Sequence, residues 1–329
     1  MARTQALAAA VALVLAPAAA RGEPLDLSFA RLGAPSASVW AALDARDASV
    51  TLAAGEAEAL AAEAKQRFAI LSIETALALS APVLQPASTT GVAGWDVSFE
   101  GAYVAVHPDR VGQTSFGTSF GPRGPWQTRG AAPTGLLATG LHVRKALPWS
   151  VELGGRLTYL AESNYGAAQV EGKWALVEGF SAWPDVALRG AYTTVVGHRH
   201  WDLSTLEADL LVSKRFGLDA VTSLTPYVAA RWNQVRASTE VLDFGPTPAA
   251  DPTPAQLAES QAAFPSLRAA LWRVTLGARF AASTFSAGVE GTWLPGTTVA
   301  GESAPDAGEY PDVPVAGSFG AALRLGWEF

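Results

Sequence analysis

Ten segments between Trp95 and Phe329 alternate apolar and polar residues at every second position. A period of two predicts β-strands with one apolar face and one polar face. In the last segment, Gly320, Ala322, Arg324, Gly326 and Glu328 separate the apolar set of Phe319, Ala321, Leu323, Leu325, Trp327 and Phe329. The ten segments are 95–106, 134–145, 150–161, 167–177, 185–196, 205–216, 227–236, 271–281, 284–294 and 319–329.

The lengths of the segments and of the links between them predict how the strands are arranged. Most segments approach the 9 to 11 residues that a tilted transmembrane strand needs. The links 108–133, 237–270 and 295–316 are long, whereas 146–149, 179–184, 217–226 and 282–283 on the other side are short. Long loops at one end and short periplasmic turns at the other are typical of outer-membrane barrels. We therefore predict an all-β fold, an antiparallel transmembrane β-barrel of about ten strands within a range of eight to twelve.

Charged residues lie on the polar face of the predicted strands, and the apolar face carries only Lys145 at a strand end. A charge facing lipid costs roughly 2–4 kcal/mol at the bilayer midplane, so this separation fits a barrel. Unlike charges in a narrow barrel should pair, because an unpaired buried ion is costly. We expect a charge-paired, largely occluded lumen. The predicted lumen set is Asp96, Glu100, Glu152, Glu171, Glu207, Asp209, Glu290 and Glu328 with Arg144, Arg156, Lys173, Arg189, Arg215, Arg231, Arg273, Arg279 and Arg324.

Tryptophans fall near both ends of the predicted strands, as in the aromatic girdles of membrane barrels. One predicted group is Trp95, Trp149, Trp183 and Trp327 at the periplasmic rim, and the other is Trp201, Trp272 and Trp293 at the outer rim. The alternative is a soluble β-sandwich whose interior the tryptophans fill. The chain is 49% hydrophobic and 16% charged, without an apolar run long enough for a transmembrane helix, and this composition favours the barrel. A net charge of −7 argues against a nucleic-acid partner.

The last strand resembles the terminal strand of bacterial outer-membrane β-barrels, which tend to close on an aromatic residue that the barrel-assembly machinery recognises. This resemblance assigns a role in barrel insertion to Phe319, Leu323, Leu325, Trp327 and Phe329. It implies an outer-membrane location, with the assembly machinery, membrane lipid and lipopolysaccharide as partners. We expect a monomer.

Residues 1–20 have the features of a secretory signal peptide. Arg3 gives a positive start, residues 7–15 are apolar, and Ala18, Ala19 and Ala20 form a small-residue cleavage site. The chain contains no cysteine, which excludes a lipoprotein anchor and disulfide bonds.

Residues 21–92 lack the alternation and form a second region ahead of the barrel, which occupies residues 93–329. Within 54–79, Leu60, Ala64, Phe68 and Leu71 are spaced as on one face of a helix, with Arg67 on the wet side, and 36–43 predicts a shorter helix. The region is a plug of the barrel, a periplasmic helical extension packed below it, or a partly disordered leader. An N-terminal plug is similar in architecture to that of the outer-membrane long-chain fatty-acid transporters.

The segment containing His198, His200 and Asp202 is the main candidate for chemistry, in an outer loop. These groups could hold a metal or activate water, as in the omptin proteases, or they could belong to the interface belt. The remaining histidines, His107 and His142, are isolated from other candidate residues in the sequence. We assign no catalytic residue, metal or cofactor. The leading hypothesis is passive transport or binding of a small molecule, apolar ones included; the alternatives are a surface structural or adhesion barrel and an outer-surface hydrolase.

Overall fold

The computed structural model describes residues 25, 27, 29–46, 52–80, 82–107, 125–126, 132–180, 182–244, 259–299, 302–303, 310 and 312–329. The predicted signal peptide lies outside these residues. Ten antiparallel strands form one closed ring. They are β1 (Trp95–Ala105), β2 (Gly135–Leu147), β3 (Val151–Leu160), β4 (Gly166–Val177), β5 (Asp185–Val196), β6 (Trp201–Ser213), β7 (Thr222–Thr239), β8 (Leu267–Ala282), β9 (Phe285–Leu294) and β10 (Ser318–Glu328).

The ring closes between the first and the last strand. Glu100 of β1 lies opposite Arg324 of β10, and each remaining strand pairs with its neighbours in chain order. Closure gives every strand a partner on both sides, so the main-chain polar groups of the wall are satisfied within the sheet. The predicted all-β, ten-stranded antiparallel barrel is confirmed.

The two ends of the barrel differ in their connections. The links 148–150, 178–184, 214–221 and 283–284 form what we call the turn end. The links 106–134, 161–165, 197–200, 240–266 and 295–317 form the loop end. Two small strand pairs lie at the loop end, Leu242–Asp243 with Gln261–Ala262 and Thr297–Val299 with Val313–Val315.

Apolar side chains cover the outside of the barrel. Every second residue of a strand faces outward and is exposed or half-exposed, as Leu323 and Leu325 are at 64% and 53%, while Arg324 between them is 2% exposed. Six of the predicted girdle tryptophans are exposed, namely Trp95, Trp149, Trp183, Trp272, Trp293 and Trp327. The prediction for Trp201 is wrong, because its side chain is buried and packs edge-on against Phe29 and Tyr165.

Two helices and a short 3-10 turn precede the barrel. The turn is Phe29–Leu32, α1 is Ala37–Arg46, and α2 is Glu56–Leu79. Among the described residues, no helix is long and apolar enough to cross a membrane. Arg67 was expected on the wet side of α2 but is 6% exposed, because its guanidinium binds Glu63 and the carbonyl oxygen of Leu32.

Candidate functional site

The barrel lumen is lined by two kinds of surface. Near the loop end, the inward side chains are apolar and buried: Leu136, Ala138, Leu160, Ala167, Leu203, Val235, Ala237, Leu267, Ala269, Leu271 and Leu294. They form one core with the second half of α2, from Phe68 to Leu79. Near the turn end, many inward side chains are charged, while Ala175, Ala187, Leu211 and Ala229 form a smaller apolar cluster with Val83 and Ala87. The predicted ionic lumen therefore occupies only the turn-end half, because the second half of α2 fills the loop-end half and is mostly apolar.

Strand register brings the first charge cluster together around Asp96. Asp96 lies opposite Arg144 on β2 and near Arg324 on β10, and its carboxylate bonds to both guanidinium groups, at 2.8 Å for Arg144. Arg144 also contacts Glu152 at 3.3 Å, and Glu152 binds Lys173 at 2.6 Å. All five side chains are nearly inaccessible to solvent, so these contacts replace their lost hydration.

A second cluster centres on Arg189 of β5. Its guanidinium lies between Glu171 of β4, at 2.5 Å, and Asp209 of β6. Arg231 of β7 reaches the other oxygen of Asp209 at 2.5 Å, and Glu207 lies 3.5 Å from Arg189. One arginine thus stands among three carboxylates in the middle of the barrel wall.

His142 joins neighbouring parts of the lumen and is not isolated as the sequence suggested. Its Nδ1 lies 3.0 Å from Glu100 and its Nε2 lies 3.1 Å from Glu171. Arg156 binds Glu100 at 2.8 Å. His107 is not isolated either, because it lies beside Glu74 of α2, which accepts a hydrogen bond from the His107 main-chain nitrogen at 3.1 Å.

Glu290 of β9 is bound in a different way. Among the described residues it forms no ion pair, although it is 2% exposed. Its carboxylate accepts hydrogen bonds from the main-chain nitrogens of Val83 at 3.1 Å and Leu84 at 2.6 Å, and from the Tyr227 hydroxyl at 2.9 Å. Gly277 lies opposite Tyr227, where a Cβ would come within 2.2 Å of the Tyr227 ring, so this glycine makes room for the ring.

The segment from Pro82 to Thr90 is not helical and runs through the turn-end half of the lumen, with Leu84 at a positive φ of 46°. The side chains of Val83 and Ala87 pack against apolar residues of the wall, and most hydrogen bonds between the segment and the wall are made by its main chain. The main-chain nitrogens of Val83 and Leu84 donate to Glu290, and that of Ala87 donates to Ser213. The nitrogen of Thr89 donates to Glu178 and that of Thr90 to Glu152. Arg156 donates to the carbonyl oxygen of Pro82, and Lys173 donates to those of Pro86 and Ser88.

Four members of the predicted lumen set remain, namely Arg273, Arg279, Glu328 and Arg215, and their positions differ. Arg273 is buried and donates to Asn233 at 2.9 Å and to Ser80 at 2.7 Å, with Glu207 at 3.9 Å. Arg279 binds Glu328 at the turn end. The prediction for Arg215 is wrong, because β6 ends at Ser213 and leaves Arg215 exposed in the following turn.

The residues assigned to barrel insertion lie on the outer face of β10 and at its end. Phe319, Leu323, Leu325, Trp327 and Phe329 are all exposed. Their recognition by the assembly machinery stays a prediction.

The candidate hydrolase residues do not converge. His198 packs edge-on against Phe29, Tyr165 and Trp201, with ring centroids 5.0 to 6.0 Å apart. His200 is exposed and its Nδ1 lies 3.0 Å from Glu240. Asp202 is exposed on β6, between inward-facing Trp201 and Leu203. In the described part of the chain, no group of three or more His, Cys, Asp or Glu side chains could hold a metal ion.

Sequence reasoning missed several functional contacts of the lumen. Gln85 donates to Glu171 at 3.1 Å and accepts from Arg144, and Ser213 binds the Ala87 nitrogen at 3.0 Å. Alternation places Ser213 on the polar face of its strand, together with Glu207 and Asp209, but does not indicate its contact with Ala87. Nothing in the local pattern indicates Gln85, because its partners come from strands that follow much later in the chain.

A closed antiparallel ring, an apolar outer face and an ionised interior together define a bacterial outer-membrane β-barrel. No family model matches the chain, and no curated protein matches it. The chain is similar to the solved N-terminal barrel domain of Pseudomonas aeruginosa OprF, with 12% identity over 73% of this chain and 99% of that one, at a TM-score of 0.28. It is also similar to Ail, the attachment invasion locus protein of Yersinia pestis, with 10% identity over 73% and 100% of the chains and a TM-score of 0.25. OmpT, an outer membrane protein of Vibrio cholerae, shares 11% identity over 59% and 56%, with a TM-score of 0.23.

Proposed function

We propose that this protein is an occluded outer-membrane barrel in which residues 25–90 act as a plug that controls the passage of small molecules. The helix α2 takes the loop-end half of the lumen, and the segment 82–90 takes the turn-end half. Passage then requires part of this segment to move. Apolar molecules are candidate substrates, because the loop-end half of the lumen is lined by leucine, valine and alanine.

The carboxylate of Glu290 carries this proposal. It accepts main-chain hydrogen bonds from Val83 and Leu84, so the plug segment is bonded directly to the wall. A buried carboxylate without an ion-pair partner is stable only when donors satisfy it. Among the described residues, the donors to Glu290 are these two amides and the hydroxyls of Tyr227 and Thr292. The plug and the wall therefore depend on each other.

The free space beside the plug is small. A cavity lies between the end of α2 and the strands β1, β9 and β10, lined among others by Leu77, Ser80, Arg231 and Arg273. The volume of this cavity is about 40 Å³. At about 10–15 Å³ for each water, it holds roughly three waters. This volume supports occlusion in the state described.

Planar-bilayer conductance tests the proposal. The full chain should show no steady channel. The double variant E152Q/E290Q weakens the wall contacts of Val83, Leu84 and Thr90 and should open transient channels. E328Q is the matched control, since Glu328 binds Arg279 at the rim and not the plug, and it should stay closed. A steady open channel in the unchanged protein, or a double variant as silent as the control, would contradict the proposal.

A surface structural or adhesion role is the second candidate. It is favoured by the cap at the loop end, where Trp40 of α1 packs with Leu60 and Ala61 of α2 and against Phe244 and Ala262 of a long loop. A barrel with this role alone should stay closed in E152Q/E290Q as well, so the same conductance measurement separates the two candidates.

A hydrolytic role receives no support from His198, His200 and Asp202, which point in different directions. We propose that His198 instead packs the start of the plug against the loop end, through its contact with Phe29. Loss of a surface hydrolytic activity in H200A would instead favour the hydrolytic role. Outer-membrane lipid and the assembly machinery remain the proposed partners.

A further inference from the structure

The chain enters the barrel at the loop end. The Leu25 nitrogen donates to the carbonyl oxygen of Glu162, in the link between β3 and β4, at 2.9 Å. Phe29 packs edge-on against Trp201, the first residue of β6, with ring centroids 5.3 Å apart. Phe68, near the middle of α2, stacks on a residue of the loop that precedes β8. Residues 25–46 and the first half of α2 therefore lie at the loop end.

The same chain leaves the lumen at the turn end. Ala87 binds Ser213, the last residue of β6, and Thr90 binds Glu152, the second residue of β3. β1 then begins at Trp95, at the turn end. The chain therefore crosses the whole barrel from the loop end to the turn end before it builds the wall.

This direction has a topological consequence. In barrels of this class the short turns face the periplasm and the long loops face outside. A helix rises 1.5 Å per residue, so the 24 residues of α2 span about 36 Å, and its first half stands above the lumen. A periplasmic position for α1 would require the long loops to face the periplasm as well.

The turn-end half of the lumen holds the crossing chain by atoms that every peptide has. Main-chain nitrogens of the segment donate to wall acceptors, among them Glu290, and main-chain oxygens accept from Arg156 and Lys173. Contacts of this kind depend little on which side chains the crossing segment carries. The turn-end half of the lumen is thus suited to a non-helical polypeptide.

We infer that residues 25–46 are presented on the outside of the cell and that the turn-end half of the lumen binds a non-helical polypeptide, the chain's own residues 82–90, largely through its main chain. The inference rests on the outer-membrane location and the loop lengths. It does not depend on whether small molecules pass, because a closed and a conducting barrel present these residues alike.

Single cysteines test the inference, since the natural chain has none. The S38C variant places a cysteine at an exposed position of α1. V241C places one at an exposed position of the loop end, and A220C places one at an exposed position of the turn end. Intact cells that express each variant are treated with a membrane-impermeant maleimide, with the cysteine-free protein as the blank. S38C should be labelled to the same extent as V241C. A220C should react only after the outer membrane is permeabilised.

A second position on α1 guards against an effect of one substitution. Ala45 is exposed, and A45C should give the same result as S38C. Heat-modifiable gel mobility checks that every variant is a folded barrel. If both α1 cysteines are protected in intact cells and react together with A220C, the inference is overturned. Conductance plays no part in this readout, so failure here and failure of the proposed plug function are separate outcomes.

Discussion

In the loop-end half of the lumen, the inward side chains are leucine, valine and alanine and they surround a helix. In the turn-end half, many inward side chains are ionised and they surround a non-helical chain. The same strands supply both halves, and one continuous N-terminal segment fills both. The two halves therefore differ in what the segment presents to the wall.

The secondary structure of the segment explains the difference. An α-helix satisfies its own N–H and C=O groups within the helix, so an apolar wall can surround it. A non-helical chain such as residues 82–90 leaves main-chain N–H and C=O groups unpaired. Unpaired buried groups are costly, so the wall must supply acceptors and donors. Glu290 and Lys173 supply them to residues 83, 84, 86 and 88. The polarity of the lumen thus follows the conformation of the segment within it.

The largest expected effect is the loss of a central charge from the turn-end half. R189A leaves Glu171 and Asp209 without their shared partner, and breaking a buried ion network in this way costs about 3–5 kcal/mol. Urea unfolding of the protein in lipid vesicles measures the change in the free energy of unfolding. R215A, in an exposed turn, is the control and should change little. Equal effects of the two variants would mean that the turn-end half does not depend on charge pairing.

The loop-end half should depend on volume instead. Leu71 of α2 is 1% exposed, and L71A should cost about 2–5 kcal/mol because it removes apolar contacts and leaves a cavity. Leu157 faces outward and is 43% exposed, so L157A is a matched control with a smaller cost. The same unfolding measurement applies. An L71A protein as stable as L157A would show that α2 is not tightly packed in the lumen.

Two inward serines sharpen the comparison within the turn-end half. Ser213 accepts a hydrogen bond from the Ala87 nitrogen at 3.0 Å, so S213A leaves a buried N–H unpaired at a cost of about 1–3 kcal/mol. Ser286 is equally buried, and among the described residues its hydroxyl has no hydrogen-bond partner. S286A should therefore be neutral or slightly stabilising. A larger loss for S286A than for S213A would argue against main-chain recognition.

The wall of the barrel could be predicted from sequence because its rule is local. Alternation at every second residue distinguishes the outward Leu323 and Leu325 from the inward Arg324 without reference to any other strand. Arg215 was placed wrongly because β6 ends at Ser213. Trp201 was placed wrongly because the predicted segment begins at residue 205, whereas β6 begins at Trp201 and its alternation turns this side chain inward.

The contents of the lumen could not be predicted in the same way. Leu84 and Glu290 are 206 residues apart, and His142 meets Glu100 and Glu171 across 42 and 29 residues. Such contacts depend on ring closure, which brings distant strands to one interior. A partial signal existed in α2, whose second half is mostly apolar and so indicates burial.

The smallest expected effect concerns Asp219. Like Glu290 in the lumen, Asp219 accepts hydrogen bonds from main-chain amides, but it is exposed to water. Asp219, in the turn after β6, accepts the Val221 and Thr222 nitrogens at 2.8 and 2.7 Å. A hydrogen bond from the Thr222 side chain, followed by these amides, lowers the pKa of Asp219 below its ordinary value of 3.8. The folded pKa is the lower one, so the stabilisation is complete above pH 3.8 and is lost as the pH falls through the folded pKa. D219N should lower the free energy of unfolding slightly at neutral pH, and the difference from the unchanged protein should vanish in strong acid. A difference that grows on acidification would contradict this sign.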